Sequence, residues 1–262
     1  MEIINLTYLD MFYVYLFLIL PVILLIWLKA GIILDLVVSI SRMSVQLILI
    51  GIYLKFIFEI NSLLLNIAWI LAMLLVANFS ILRQSNLSVK KFFIYTFLGL
   101  SFATSIILAI FVALIICPSP LYDARYMIPI FGMILGNSMR GNVIVLERFY
   151  SSIKKNESEF ITYQMLGATL SESTKPYIRS ALLAALTPQL STIATMGIVS
   201  LPGMMTGQIL GGSFPVNAIK YQIAIMVCIF SALICTTVFN LLLTRRIAFD
   251  SYGMLKHNIF RK

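Results

Sequence analysis

Long apolar windows constrain this chain more than any other feature, because about 18 consecutive apolar residues are enough for a helix to cross a bilayer. The residues are 61% hydrophobic and 11% charged, a balance that ordinary soluble domains lack. The first window, Met11–Leu28, follows Glu2 and Asp10 rather than basic residues, so we interpret it as a retained span and not a signal peptide. The windows predict an all-α, polytopic membrane protein with one transmembrane domain over residues 1–262. The expected spans, about seven in number, are 11–28, 43–59, 64–81, 92–116, 126–146, 181–200 and 217–243.

Basic residues are distributed unevenly between the segments that join these spans. With the N-terminus outside, the outer segments carry only Lys55, Arg125 and Lys220. This bias predicts an outer N-terminus and an inner C-terminus. It also explains the net charge of +9 by attraction to anionic lipid, so the bilayer is an expected partner and nucleic acid is not. The inner basic residues are Lys29, Arg83, Lys90, Lys91, Arg148, Lys154, Lys155, Lys175, Arg179, Arg245, Arg246, Lys256, Arg261 and Lys262.

Residues 201–212 read LPGMMTGQILGG and interrupt the apolar sequence after the sixth expected span. The proline and four glycines predict a broken helix, which membranes tolerate only where protein or a water-filled cavity receives the free backbone groups. Transporters place substrate contacts at such breaks. The predicted topology puts this run at the outer end of its span, as an outer gate or release region. Its candidate pathway residues are Met204, Met205, Thr206, Gly207 and Gln208.

The fifth expected span carries polar and small residues near its middle. Asn137 and Ser138 also belong to the candidate pathway. An unpaired amide is costly there, so Asn137 either pairs across a helix interface or faces the pathway. Gly132 and Gly136 form a GxxxG pattern, which predicts a close approach to another helix.

A polar stripe marks the start of the second expected span. Arg42 and Gln46 are four residues apart and share one helical face. Arg42 either snorkels to the headgroups or faces a cavity or partner helix. Gln46 is too short to snorkel far, which favours a protein partner.

The longest polar segment, residues 147–180, is predicted to be a cytoplasmic loop. Asn156 with Glu159 is typical of a helix start, and Gly167 can supply the left-handed residue that ends that helix. Thr169 with Glu172 repeats the capping pattern, so the loop should fold as helix, glycine turn and helix. An exposed apolar face on the first helix fits an interfacial loop or, as we favour, a docking element for a cytoplasmic partner. This face consists of Phe160, Tyr163 and Leu166.

Several chemistries are missing from the sequence. The one histidine lies in the tail, and neither HExxH nor GxxxxGK[ST] occurs, so a zinc protease site and an ATP site are not expected. Few acidic residues lie within the expected spans. This weakens, without removing, the alternative of a self-powered transporter or channel for a metal or small organic solute. We expect no enzymatic activity, no metal site and no cofactor bound by this chain, with energy supplied by another subunit.

Three motifs carry a resemblance to a known family. They are GMILGNSM at 132–139, LGAT at 166–169, and VSLPGMMTGQILGG at 199–212 followed by Tyr221 and Gln222. With them the chain resembles the iron-export permease family, the FetB-like membrane subunits of ABC transporters, which has a plant branch linked to aluminium tolerance. The resemblance extends from about Arg42 to the basic tail.

The resemblance implies a homodimeric permease of the bacterial inner membrane that exports metal, iron by the family name. It also implies a separate cytoplasmic ABC ATP-binding subunit that holds ATP and Mg, and a coupling loop around LGAT. Ile161 stands where such loops usually carry an acidic residue. The substrate would be a metal at a weak site of methionines, amides and carbonyls, or else a chelated or organic species. The implied coupling residues are Glu159, Phe160, Tyr163, Leu166, Gly167, Ala168 and Thr169.

Overall fold

The computed structural model describes residues 7–250 and 252–261, so the ends of the predicted domain, with Glu2 and Lys262, lie outside the described residues. Within those ranges the chain forms helices, turns and isolated bridges but no strand, which confirms the all-α class. The helices are α1 (Tyr8–Leu16), α2 (Ile19–Trp27), α3 (Ile33–Ile60), α4 (Leu63–Gln84), α5 (Val89–Phe111), α6 (Ala124–Lys155), α7 (Glu157–Met165), α8 (Leu170–Thr195), α9 (Gly203–Leu210) and α10 (Pro215–Ala248). A π-helical turn at Val112–Ile116 extends α5, and a short 3-10 helix occupies His257–Ile259.

Six stretches of the described chain are long and apolar enough to cross a membrane. They are α1 with α2, α3, α4, α5 with its extension, α6, and α10. They match six of the seven expected spans and confirm a multi-pass membrane protein. The expected span 181–200 is not among them. Its residues 181–195 form the second half of α8, and the rest form a turn, so its predicted end was wrong.

Helix α8 nevertheless runs along the bundle. Near its start, Thr174 accepts a hydrogen bond from Nη1 of Arg245 near the end of α10 (3.3 Å). Further along, Pro188 lines the same cavity as Leu233 in the middle of α10. The two helices are therefore antiparallel. With 26 residues, α8 is about 39 Å long at the rise of an α-helix. The predicted N-out, C-in orientation depends on whether this more polar helix also crosses, and it stays a prediction.

Helix α6 lies at the centre of the bundle, packed against α4, α5, α8 and α10. Its buried residues recur every three or four positions, which directs one broad face to its neighbours. Because lipid tails are as apolar as these side chains, close van der Waals packing holds the helices together. The buried residues in its central part are Ile130, Phe131, Ile134, Leu135, Ser138, Gly141, Asn142, Val145 and Leu146.

Two glycines allow α5, α6 and α10 to approach closely. A Cβ on Gly99 of α5 would collide with the side chain of Asn240, and one on Gly141 of α6 would collide with Leu233. The contact predicted from the GxxxG pattern is different. A Cβ at Gly132 would lie 3.3 Å from Met73, but one at Gly136 would meet nothing within 4 Å. Gly132 therefore approaches α4 as the pattern predicts, but the closest approach of α6 to a neighbour is at Gly141, beyond the predicted pair.

A buried amide pair joins α6 to α10 at the same level. Nδ2 of Asn240 donates to Oδ1 of Asn142 (2.7 Å), and Nδ2 of Asn142 donates to Oγ1 of Thr236 (3.0 Å) and to the carbonyl oxygen of Ser138 (2.8 Å). All these side chains are buried. Polar bonds of this kind fix the register of neighbouring helices in a membrane, because sliding either helix would leave an amide unpaired.

The N-terminal helices are peripheral. In α3 only Ile57 is buried, and it packs with Ala124 and Ile128 at the start of α6. One turn earlier, Tyr53 contacts Trp69 of α4 with ring centroids 4.6 Å apart. The first half of α3 is largely exposed, so it is available to lipid or to another chain.

We expect Gly99→Val to lower the melting temperature of the purified protein in detergent. Overpacking a tight core costs about 1–3 kcal/mol, and here the new side chain would also push Asn240 away from Asn142. Gly136→Val is the matched control, because the added carbon has no neighbour. Equal melting temperatures for the two variants would contradict the packing described here.

Candidate functional site

The candidate pathway run, residues 201–212, folds as a short helix between two turns. Helix α9 follows Pro202 and ends before Gly211, and Gly212 is left-handed with φ +94°. The predicted break between α8 and α10 is confirmed. Within the break, the eight residues of α9 form about two helical turns, which satisfy part of the backbone locally. Gly207 lies inside this helix, and a Cβ there would meet nothing within 4 Å.

The other candidate residues of α9 are half-buried, and this helix packs mainly against α10. Met204 packs against the main core, and the hydroxyl of Thr206 donates to the carbonyl oxygen of Pro202 (3.1 Å). Met205 is likewise partly covered. Oε1 of Gln208 is buried without a hydrogen-bond partner in the described chain. A buried unpaired acceptor calls for a ligand or water, so Gln208 is the α9 residue best placed to meet a passing molecule.

Asn137 and Ser138 lie on α6, apart from α9. Nδ2 of Asn137 donates to the carbonyl oxygen of Met133 (2.8 Å), and the side chain lines a cavity of about 220 Å³ between α6 and α8. Ser138 is buried, and its hydroxyl has no partner among the described residues. Asn137 thus lines a cavity, whereas Ser138 is buried between packed helices. The candidate pathway residues therefore form two groups, one on α9 and one on α6. In the described part of the chain no three His, Cys, Asp or Glu side chains converge.

Helix α7 is anchored by Phe160, which sequence analysis had placed on an exposed face. The structure buries it, with ring centroids 6.1 Å from Tyr177 of α8 and 5.7 Å from Phe249 after α10. Tyr163 remains partly exposed and donates to Oε1 of Glu159 (3.0 Å), which raises the pKa of the Tyr163 hydroxyl. The predicted apolar face was therefore wrong at Phe160, because the chain's own aromatic residues cover that side.

The apolar surface that remains exposed is the end of α7, a tip formed by Met165, Leu166 and Gly167. The two large side chains are 83% and 81% exposed. Gly167 is left-handed, with φ +92°, as predicted for a residue that ends a helix. Ala168 follows, half-buried. The tip thus projects two apolar side chains from a sharply turned, well-anchored segment.

The start of α8 is held by the predicted capping box. The backbone N and Oγ1 of Thr169 both donate to Oε2 of Glu172 (2.8 and 2.7 Å), and the backbone N of Glu172 donates to Oγ1 of Thr169 (3.3 Å). These bonds favour the carboxylate and lower the pKa of Glu172. Asn156 precedes α7 as predicted, but its side chain donates back to the carbonyl oxygen of Ser152 (3.0 Å) instead of capping. The capping box sets the angle at which the chain leaves the tip and enters α8.

The polar stripe lies at a different cavity from the one that Asn137 lines. Arg42 and Gln46 are exposed on α3. Gln46 borders an apolar cavity of about 550 Å³ between α3, α4 and α6, together with Trp69 and Gly136. The structure therefore does not bring the stripe to α9 or to Asn137.

The C-terminal tail is a structural element that sequence analysis missed. Its backbone joins the turn before α5, where the backbone N of Ser88 donates to the carbonyl oxygen of Ile259 (2.7 Å). It also joins α7, where Nε2 of Gln164 donates to the carbonyl oxygen of Gly253 (3.0 Å). The available signal was the recurrence of apolar residues, beginning with Phe249, in an otherwise polar and basic tail. The tail therefore helps to hold α7 in place against the bundle.

Comparison with known proteins gives a family match over nearly the whole chain. The model of a family described as uncharacterised protein family UPF0014 matches residues 8–249. The UPF0014 membrane protein YjkA of Bacillus subtilis is 33% identical over 230 residues, which are 88% of this chain and 90% of YjkA. No solved structure matches the chain.

Two further relatives carry functional names. The probable iron export permease protein FetB of Escherichia coli is 32% identical over 84% of each chain. Protein ALUMINUM SENSITIVE 3 of Arabidopsis thaliana is 35% identical over 73% of this chain and 69% of its own. These similarities confirm the resemblance inferred from the sequence motifs.

We expect Phe160→Ala to loosen α7, because truncating a buried phenylalanine typically costs about 3–5 kcal/mol. Limited proteolysis of the detergent-solubilised protein should then cleave within 156–168 at lower protease concentration. Leu166→Ala, in the same loop but exposed, should leave the cleavage pattern unchanged. Equal protection of both variants would show that the aromatic contacts do not hold α7.

Proposed function

The chain belongs to the UPF0014 family of membrane proteins, and we propose that it is the permease subunit of an ABC exporter that moves metal out of the cytoplasm. Iron is the metal named for its Escherichia coli relative. In this proposal a separate cytoplasmic ABC subunit binds ATP and Mg, and the permease itself catalyses no reaction. The membrane is the bacterial inner membrane, with the α7 end of the bundle in the cytoplasm.

The tip of Met165, Leu166 and Gly167 is the observation that carries the proposal. Two large apolar side chains, each more than four-fifths exposed, are costly to leave in water. A patch of this kind on an otherwise anchored loop is typical of a protein contact. A groove in an ATP-binding subunit would bury both side chains, and the left-handed Gly167 gives the loop the sharp turn such a contact needs.

The contacts that anchor α7 connect the docking tip mechanically to the long helices of the bundle. Phe160 contacts Tyr177 of α8 and Phe249 at the end of α10, and the capping box ties the tip to the first turn of α8. A displacement of the tip therefore moves the start of α8 and the end of α10 together. Helix α8 leads to α9, where Gln208 and the methionines form the outer gate of the proposed pathway.

The exposed face of α8 supports a homodimer. Thr187, Ser191 and Thr192 are exposed on the half of this helix that was expected to span the membrane. The hydroxyl of Thr192 donates to the carbonyl oxygen of Pro188 (3.0 Å), but no described residue engages the hydroxyls of Thr187 and Ser191. Lipid does not pair with such groups, so polar spanning faces turn toward protein or water. A second copy of the chain, packed face to face on α8, would cover these residues and enclose a shared pathway.

We expect Leu166→Asp to reduce co-purification of the ATP-binding subunit about tenfold or more, because charging the centre of an apolar contact removes an anchor residue. The exposed position should leave insertion and melting temperature unchanged. Ile198→Asp is the matched control, since Ile198 is 90% exposed at the opposite end of the bundle. Undiminished capture by the Leu166 variant would refute the docking assignment.

The transport function is tested in liposomes that contain the permease and its ATP-binding subunit. We expect ATP-dependent movement of iron away from the side that carries the ATPase, and none with an ATPase variant unable to hydrolyse ATP. Gly167→Arg should abolish this movement while the protein still inserts. Iron movement by the permease alone, at the same rate, would instead favour the self-powered transporter or channel.

A further inference from the structure

Arg140 is a cation placed in the middle of the central helix. Sixteen residues of α6 precede it and fifteen follow, and it falls within the expected span 126–146. A charged side chain at this depth costs about 2.5–3.5 kcal/mol in membrane insertion. Its side chain has no ion pair or hydrogen bond with any residue that the structure describes. No residue that the structure describes offsets this cost, and the Arg140 side chain is exposed, which makes it a functional candidate.

Arg140 lines the cavity between α6 and α8 that Asn137 also faces. The other lining residues are uncharged, so the guanidinium sets the electrostatic potential of the cavity. Asn137 has one N–H left after its bond to Met133, and Gln189 of α8 adds a side-chain amide that no described residue engages. Three donor groups from two helices thus border one space.

The backbone beside this cavity also suits a hydrated site. Pro188 lies in the lining and inside α8. A proline cannot donate to the carbonyl oxygen of the residue four positions earlier, which here is Ala184. Backbone groups freed in this way are tolerated at membrane depth where water reaches them. The volume of about 220 Å³ equals the share of about seven water molecules in the liquid.

We propose that this cavity binds a small anion through Arg140, Asn137 and Gln189, and that the transported species therefore carries carboxylate or phosphate oxygens. The inference rests on the proposed transport function and specifies its substrate class. The anion crosses either as a free organic acid or as the ligand shell of a metal complex whose outer surface is anionic. A bare divalent cation is repelled from the same site by the guanidinium.

The chemistry of the donors fits this class of ligand. A guanidinium offers up to five N–H groups in a planar fork that matches the two oxygens of a carboxylate. The amide N–H groups of Asn137 on α6 and Gln189 on α8 complete the contact without adding charge. The anion is therefore held by one cation and can dissociate again. Because α6 and α8 both line the cavity, a shift of α8 by the coupling loop would separate these donors and release the anion.

The test is isothermal titration calorimetry on the purified permease without the ATP-binding subunit, with citrate, ferric citrate and ferrous ion alone as probes. We expect citrate, ferric citrate or both to bind, and ferrous ion alone not to bind. Arg140→Gln should weaken anion binding about tenfold or more, and Arg140→Lys should retain part of it. Arg148→Gln, an exposed arginine two turns further along α6, should bind as the wild type does. Gln189→Leu should also weaken binding, which provides a second variant if Arg140→Gln does not fold.

The outcomes separate the alternatives. Binding of citrate alone identifies a free organic anion, and binding of ferric citrate only identifies a metal complex. Binding of ferrous ion in the absence of either anion, no binding of either anion, or wild-type citrate affinity in both the Arg140 and Gln189 variants would overturn the proposal. Because the titration uses neither ATP nor the partner subunit, a failure of ATP-dependent export in liposomes would leave its result unchanged.

Discussion

The close approach of α5, α6 and α10 is the constraint on which the rest of this structure depends. Gly99 and Gly141 leave room for Asn240 and Leu233, and the Asn142–Asn240 bond joins the helices at that level. In lipid no water is expelled when helices meet, so stability comes from contact distance and from satisfied polar groups. Two glycines and one amide pair therefore position α6. The cavity beside Arg140 and helix α7 both adjoin α6.

The α7 end of the bundle combines an anchored side with an exposed tip. Phe160 is enclosed by aromatic residues from α8 and from the segment after α10, while Met165 and Leu166 remain outside. The same short helix thus has one side that belongs to the bundle and one end that is free for another protein. The tail holds this helix from a third direction through Gln164. Force applied at the tip would reach α8 before it reached the N-terminal helices, which pack only loosely on the bundle.

Sequence reasoning succeeded where a local rule decides the structure. The capping box at Thr169 and the left-handed Gly167 follow from backbone chemistry within a few residues, and both are present. Sequence reasoning failed where a residue far away in the sequence decides whether a side chain is buried. Phe160 has the spacing of an exposed face, but Phe249 lies 89 positions away and covers it. The GxxxG glycines have the expected spacing, but the helix contact falls at Gly141, because Leu233 projects there. Arg140 lies inside an expected span but was not singled out from the sequence, and only the neighbouring α8 shows which cavity it lines.

The sequence by itself determined that this chain is a helical membrane protein with a break before its last long helix, a capped glycine turn between α7 and α8, and a family resemblance that its relatives confirm. Those properties depend on hydropathy, on the conformations open to proline and glycine, and on motifs that lie within a dozen residues. The tertiary structure alone decided which residues of the loop stay exposed and that the tail braces them. It also decided that the two groups of candidate pathway residues lie apart, with a guanidinium beside one of them. The physical reason is that burial and cavity lining depend on how helices pair. The sequence of one helix does not show which side chains of another helix will face it.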